Sequence, residues 1–208
     1  MRLGIFGGSF DPIHYGHLIL AEHCREQAEL DEVWFVPSAT APHKQDGAQL
    51  SKRQRMELVE LAIGGHPAFR VSNMELERGG ISYTVDTLNQ IREERPEDEL
   101  FFLMGADSLG HFASWKEPTQ ICELALPLVV NRPGADDVDL EKLRPFVGDS
   151  RMEALAAVQI QSPLIEISSS EIRRRVGAGE SIRYLLPRSV EKYIEAQKLY
   201  QLATAEGG

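Results

Sequence analysis

The chain has 208 residues, 42% of them hydrophobic and 26% charged, with a formal net charge of -10. That length suits a single domain with a sizeable core, and that charge excludes non-specific nucleic-acid binding, which needs a basic footprint. A phosphate ligand would have to be met by local donors rather than by the overall field.

Cys24 and Cys122 are the only cysteines, and neither lies in a C-x-x-C pair. A disulfide framework and a cysteine-rich zinc site are therefore not expected, and a reducing cytoplasm is. The first residues are strand-like rather than basic and then apolar, and no apolar run reaches spanning length. The expectation is a cytoplasmic protein with no nucleic-acid or membrane partner; a homo-oligomer is left open.

In chain order, Leu3–Phe6 reads as a short buried strand. From Tyr15 to about Ala28 the spacing is helical, with Leu20, Ala21, Cys24 and Ala28 on one side. Val33–Val36 is a second strand, closed by Pro37, and the loop "SATAPHKQDGAQ" leads to a helix near Ser51–Ile63. Phe69–Val71 is a third strand, followed by a helix from Tyr83 to about Arg95. Leu100–Met104 is a strongly apolar strand ending in "GADS", and Leu126–Val130 is another. The loop "RPGADDVD" follows, then a last predicted strand at Leu164–Ile167, a helix opened by "SSSEIRRRV", and an amphipathic helix from Ser189 to about Leu199.

Apolar strands alternating with helices predict an α/β fold, a doubly wound and mostly parallel sheet covered on both faces. The whole chain is read as one domain, with residues from about 168 to 208 forming a small C-terminal helical portion. Such sheets bind ligands at the carboxyl ends of their strands, near the switch in strand order. The residues with chemistry follow strand ends: Gly7-Gly8 after the first, His43-Lys44 after the second, Gly105 and Asp107 after the fourth, and Ser168–Ser170 after the last.

The segment "GIFGGSFDPIHYGH" places two glycines and two histidines after the first strand. It does not fit G-x-G-x-x-G, and no G-K-[ST] exists, so a redox fold and a P-loop kinase are poor readings. His14 and His17 fit metal ligands, structural helix-start residues, or a pair of donors to a phosphate at the helix N-terminus. The third reading accounts for glycines and histidines together. Ser168-x-x-Glu171 has capping-box spacing, which would put Ser hydroxyls, backbone N–H groups and Arg173 at a second helix start. Asp107 suits sugar hydroxyls or a helix cap, and Trp115 could stack on a flat ring or pack in the core.

These residues together resemble the nucleotidyltransferase superfamily with its H-x-G-H motif, here His14-Tyr15-Gly16-His17. Within it the resemblance is to the bacterial nicotinate-nucleotide adenylyltransferases. It is carried by "GGSFDPIHYGH", "PSATAPHK", "SYTVDT", "GADS" with Trp115, "ISSSEIRRR" and "YLLPRSVEKYI", which span nearly the whole chain in order. Ser170 stands where many relatives carry Thr and keeps the hydroxyl. The resemblance implies a Rossmann-like nucleotidyltransferase fold and transfer of the adenylyl group of ATP to nicotinate mononucleotide, giving deamido-NAD and pyrophosphate in NAD biosynthesis. It implies catalytic roles for His14, His17 and Arg173. ATP would meet Gly7, Gly8, Ser9, Phe10, His14, His17, Gly105, Asp107, Ile167, Ser168, Ser170 and Arg173. Nicotinate mononucleotide would meet Ser9, Lys44, Tyr83, Thr84, Trp115 and Lys116. Mg2+ would arrive with ATP, with no metal ligand from protein side chains. Three rivals stay open: a phosphopantetheine adenylyltransferase, a metal hydrolase built on His14 and His17, and a non-catalytic nucleotide-sensing module.

Overall fold

A computed structural model describes residues 1–40, 49–131, 139–158 and 160–201. In chain order the strands are β1 (Arg2–Gly8), β2 (Glu32–Pro37), β3 (Phe69–Val71), β4 (Glu99–Gly105), β5 (Leu126–Asn131) and β6 (Ile160–Gln161). Helices α1 (Tyr15–Gln27), α2 (Lys52–Ile63), α3 (Met74–Arg78), α4 (Thr84–Glu94), α5 (Ala106–Leu109), α6 (Pro118–Leu124), α7 (Asp149–Ala157), α8 (Ser169–Gly177) and α9 (Arg188–Ala196) lie between and after them.

The strands form one sheet in the order β3-β2-β1-β4-β5-β6, and every pairing is parallel. The expected doubly wound α/β class is what the chain adopts. Its apolar runs explain why: Leu100, Phe101, Phe102, Leu103 and Met104 of β4 are all buried. Successive strand residues point to opposite faces, so five in a row demand cover on both sides. Helix α4 supplies one such cover, burying Val85, Leu88 and Ile91 at helical spacing. No helix among the described residues is long and apolar enough to cross a membrane.

The last strand differs from the sequence expectation. Strand β6 is Ile160–Gln161, and 162–168 runs on without a ladder. Pro163 has no N–H to donate, which ends pairing at this edge, and Leu164 is left 54% exposed. The consequence for function is favourable, because an unpaired segment can turn across the carboxyl ends of the strands.

Strand order changes direction between β1 and β4, the two strands on which the sheet was built outward. Their carboxyl ends, Gly8 and Gly105, therefore lie at the switch point where such sheets open a crevice.

Candidate active site

Helix α1 starts at this crevice, and His14 is its N-cap residue rather than its first turn. The His14 N–H donates to His17 Nδ1 at 3.2 Å. That bond puts the His17 ring proton on Nε2 in the neutral form, making Nε2 a donor. The two imidazoles stack with centroids 3.7 Å apart and planes at 27°. Gly16 between them follows from this stacking: a Cβ there would meet the His14 ring at 3.0–3.1 Å.

The rest of the first turn of α1 is largely occupied. Tyr15 N–H donates to Leu185 O at 3.1 Å, and those of His17 and Leu18 donate to His14 O. The imidazoles, more than the helix backbone, are thus the donors this end offers. The Leu185 contact also gives "YLLPRSVEKYI" a structural part, since it anchors the start of α1.

On the facing side Ser168 caps α8, its hydroxyl accepting from Glu171 N at 3.2 Å. The Glu171 side chain goes instead to Arg174, so half of the expected capping box forms. Ser168 and Ser170 hydroxyls lie 3.1 Å apart, and Ser169 Oγ donates to Pro12 O at 2.9 Å. Arg173 reaches across to donate to Asp11 O at 2.7 Å.

These groups line one cavity of about 450 Å³, together with Gly16, Leu20, Ile165 and Ile167. It brings together seven of the residues named from sequence: Ser9, His14, His17, Ile167, Ser168, Ser170 and Arg173. Imidazoles, hydroxyls and a guanidinium against an apolar wall form a donor set suited to an anion attached to a flat apolar group.

The glycine pair and Phe10 turn out differently placed. Phe10 is 1% exposed, packed edge-on against Phe6 and His17 at 5.5 and 5.2 Å. Its ring lies where a Gly8 Cβ would go, at 3.0–3.3 Å, whereas a Cβ on Gly7 would meet nothing within 4 Å. Gly8 is therefore small because Phe10 packs on it. Phe10 supports His17 from the core side.

A second group sits at the other side of the rim. Tyr83, Thr84, Trp115 and Lys116 line a cleft of about 100 Å³ with Ser82, Ser114 and Ile121. Trp115 packs on Phe102 and Phe112, at 5.7 and 5.4 Å between centroids, and also borders a cavity of about 440 Å³ with Asp107. Asp107 is exposed in the first turn of α5, just past Gly105. Lys116 Nζ is paired with Asp86 at 2.9 Å and lies 4.8 Å over the Tyr83 ring. Its charge is thereby directed to Asp86 on α4. Lys44 and its neighbour His43 lie outside the described residues.

Several residues that shape the rim were not singled out from sequence. Arg55, 1% exposed, donates to Ser9 O at 2.9 Å. Buried Asp11 accepts from Gln49 N and from the Tyr200 hydroxyl, each at 2.7 Å. Ser82 Oγ accepts from Ala39 N at 2.8 Å, tying the end of β2 to the start of α4. Asp11 stood inside the quoted motif without being singled out; Arg55 and Tyr200 carried no local signal. Among the described residues, no three His, Cys, Asp or Glu side chains converge to hold a metal ion.

A parallel sheet in this order, with paired imidazoles at one helix start and a Ser/Arg helix start opposite, defines a nucleotidyltransferase-type site. The chain belongs to the cytidylyltransferase-like family, whose model matches residues 5–175. It is 43% identical over 201 residues to a protein of Salinibacter ruber named "Probable nicotinate-nucleotide adenylyltransferase", covering 97% of this chain and 98% of that one. A Geobacter sp. protein of the same name is 45% identical over 212 residues, covering 96% and 98%. Over nearly its whole length the chain is thus similar to nicotinate-nucleotide adenylyltransferases. Its fold is shared with Plasmodium falciparum nicotinic acid mononucleotide adenylyltransferase complexed with NaAD, with TM-score 0.70 and 20% identity over 96% of this chain and 97% of that one. The same enzyme complexed with APC gives TM-score 0.68 at 20% identity, over 96% of each chain.

Proposed function

We propose that this chain transfers the adenylyl group of MgATP to nicotinate mononucleotide, releasing pyrophosphate and forming deamido-NAD, and that it does so in the cytoplasm. One observation carries the reading: the imidazole pair and the Ser168–Arg173 helix start converge on one cavity at the switch point, while a cleft lined by Tyr83, Thr84 and Trp115 opens separately on the same rim. Two substrates need two such places.

An oxygen of the mononucleotide phosphate attacks the α-phosphorus of ATP, and the bond to the bridging oxygen of the β-phosphate breaks. The electron pair leaves with pyrophosphate. The attacking oxygen is already anionic, so no side-chain base or nucleophile is needed. Positioning and charge stabilisation supply the catalysis. His17 Nε2 and His14 meet the phosphate oxygens as charge builds on them. Arg173, with the Ser168 and Ser170 hydroxyls, holds the leaving pyrophosphate. Ser9 lies between the two substrates, and Ile167 borders the adenosine. Gly105 and Asp107 suit its sugar.

The acceptor's pyridine stacks on Trp115, with Tyr83, Thr84 and the backbone at Lys116 facing its carboxylate. The metal belongs to the substrate: the donors here are suited to phosphate oxygens, and Mg2+ enters coordinated by the triphosphate.

The test is a product assay. Incubation with MgATP and nicotinate mononucleotide should give pyrophosphate and dinucleotide in equal amounts. His17→Ala should lower kcat roughly 10²–10³-fold, the usual effect of removing one such donor, with ATP affinity much less changed. Pyrophosphate without dinucleotide, or His17→Ala at wild-type kcat, would contradict the proposal.

A further inference from the structure

Residues Ser9–Pro12 lie in the connection from β1 to α1, and Ser9 lines the cavity that holds the imidazole pair. Phe10 within this loop has φ 45°, a left-handed backbone that a bulky residue keeps only where its surroundings over-determine it. The surroundings here are specific. Arg55 Nη1 donates to Ser9 O at 2.9 Å, and Ser169 Oγ donates to Pro12 O at 2.9 Å. Asp11 sits at the middle, 4% exposed. Its carbonyl accepts from Arg173 at 2.7 Å. One carboxylate oxygen accepts from Gln49 N, and the other accepts from Tyr200, both at 2.7 Å.

We propose that Tyr200, acting through the Asp11 carboxylate, is a positioning residue that sets the Ser9–Pro12 loop and Arg173 for adenylyl transfer. The chain brings Tyr200 there from a distance of 189 positions. Its approach is built in: Leu199 beside it is buried, and Lys198 and Tyr200 both take left-handed backbone, φ 53° and 61°. Burial and the neighbouring Asp11 carboxylate raise the phenol's pKa, so Tyr200 remains a donor at working pH. Without Tyr200 the Asp11 carboxylate is held by Gln49 N alone, and the loop whose Asp11 carbonyl orients Arg173 loses one of its anchors. Tyr193, on α9, also bonds a carboxylate, that of Glu57, but this contact does not reach the loop.

This inference rests on reading the loop as part of the ATP site. The experiment compares Tyr200→Phe, Asp11→Asn, their double variant and Tyr193→Phe in the full-length chain. Initial rates of pyrophosphate release from MgATP and nicotinate mononucleotide are measured well below each melting temperature. Tyr200→Phe keeps the ring and should lower kcat about tenfold, with the KM for ATP changed less than about threefold; tenfold corresponds to 1.4 kcal/mol. Asp11→Asn cannot accept from both Gln49 and Tyr200 through oxygen and should lower kcat at least as much. The double variant should be no slower than the slower single, the mark of two groups acting through one contact. Tyr193→Phe should keep wild-type kcat. Unchanged kcat in Tyr200→Phe, or strictly multiplicative losses in the double variant, would overturn the proposal while leaving adenylyl transfer standing. No turnover by the wild-type chain would overturn both.

Discussion

Arg173, Arg174 and Arg175 are adjacent in sequence and differ completely in employment. Arg174 is engaged by Glu171 and Glu180 on its own surface. Arg175 Nε donates to Ser181 O at 2.8 Å, with Glu180 3.3 Å from its Nη1. Arg173 alone points inward, to Asp11 O at the cavity. Exposed ion pairs contribute little, about 0–1 kcal/mol, so Arg175→Ala should leave both stability and catalysis nearly unchanged. Arg173→Ala should raise the ATP KM and cut kcat/KM for ATP on the order of 10²-fold, as expected for losing a charged donor to the leaving group. Steady-state kinetics of the two variants checks this. Equal effects would mean that the helix acts as a diffuse basic face.

At the scale of elements, the short helix α3 is joined to α4 by a buried polar contact. Glu75, 5% exposed, accepts from the Thr87 hydroxyl, and Thr87 Oγ1 also accepts from Arg78 at 2.9 Å. Burial raises the Glu75 pKa despite these partners. The native state therefore binds this proton more tightly than the unfolded chain does. Stability from this group is full below the ordinary carboxylate pKa of about 4.3 and falls as pH rises toward the raised native value. Glu75→Gln removes that dependence, so the melting temperature of the variant relative to wild type should climb between about pH 4 and pH 7. Thermal melts across that range provide the check, and a constant difference would contradict it. Helices such as α4 were legible because their apolar positions recur at helical spacing. The strand expected at Leu164–Ile167 was not, because alternating apolar residues read alike whether they pair in a sheet or run unpaired beside it. Pro163 was the available signal. The Glu75–Thr87 contact has no local pattern at all, since it joins positions 12 apart on different helices.

For the whole molecule, the sheet order sets which strand ends become neighbours, and that turns scattered motifs into one rim. The rim was legible because its residues follow apolar segments closely: Ser9, His14 and His17 after β1, Asp107 after β4, and Ser168–Arg173 after the unpaired apolar stretch Leu164–Ile167. What holds the rim was not legible, because Arg55 and Tyr200 reach Ser9 and Asp11 across 46 and 189 positions. Such contacts arise only when the chain closes.

On the proposed function, this rim joins an adenylyl group to a carboxylate-bearing pyridine nucleotide. Nicotinate and nicotinamide mononucleotides are nearly isosteric, so pocket size cannot separate them. Donors at Tyr83, Thr84 and the backbone around Lys116 would face an NH₂ in the amide and a second acceptor oxygen in the acid. A buried N–H left unpaired costs roughly 1–3 kcal/mol, and the charge-assisted bond to the carboxylate widens the gap. The deciding measurement is kcat/KM for both acceptors with the same enzyme and MgATP. A preference for nicotinate mononucleotide of at least about 10–100-fold is expected; a ratio near one, or a preference for the amide, would contradict a carboxylate-reading site.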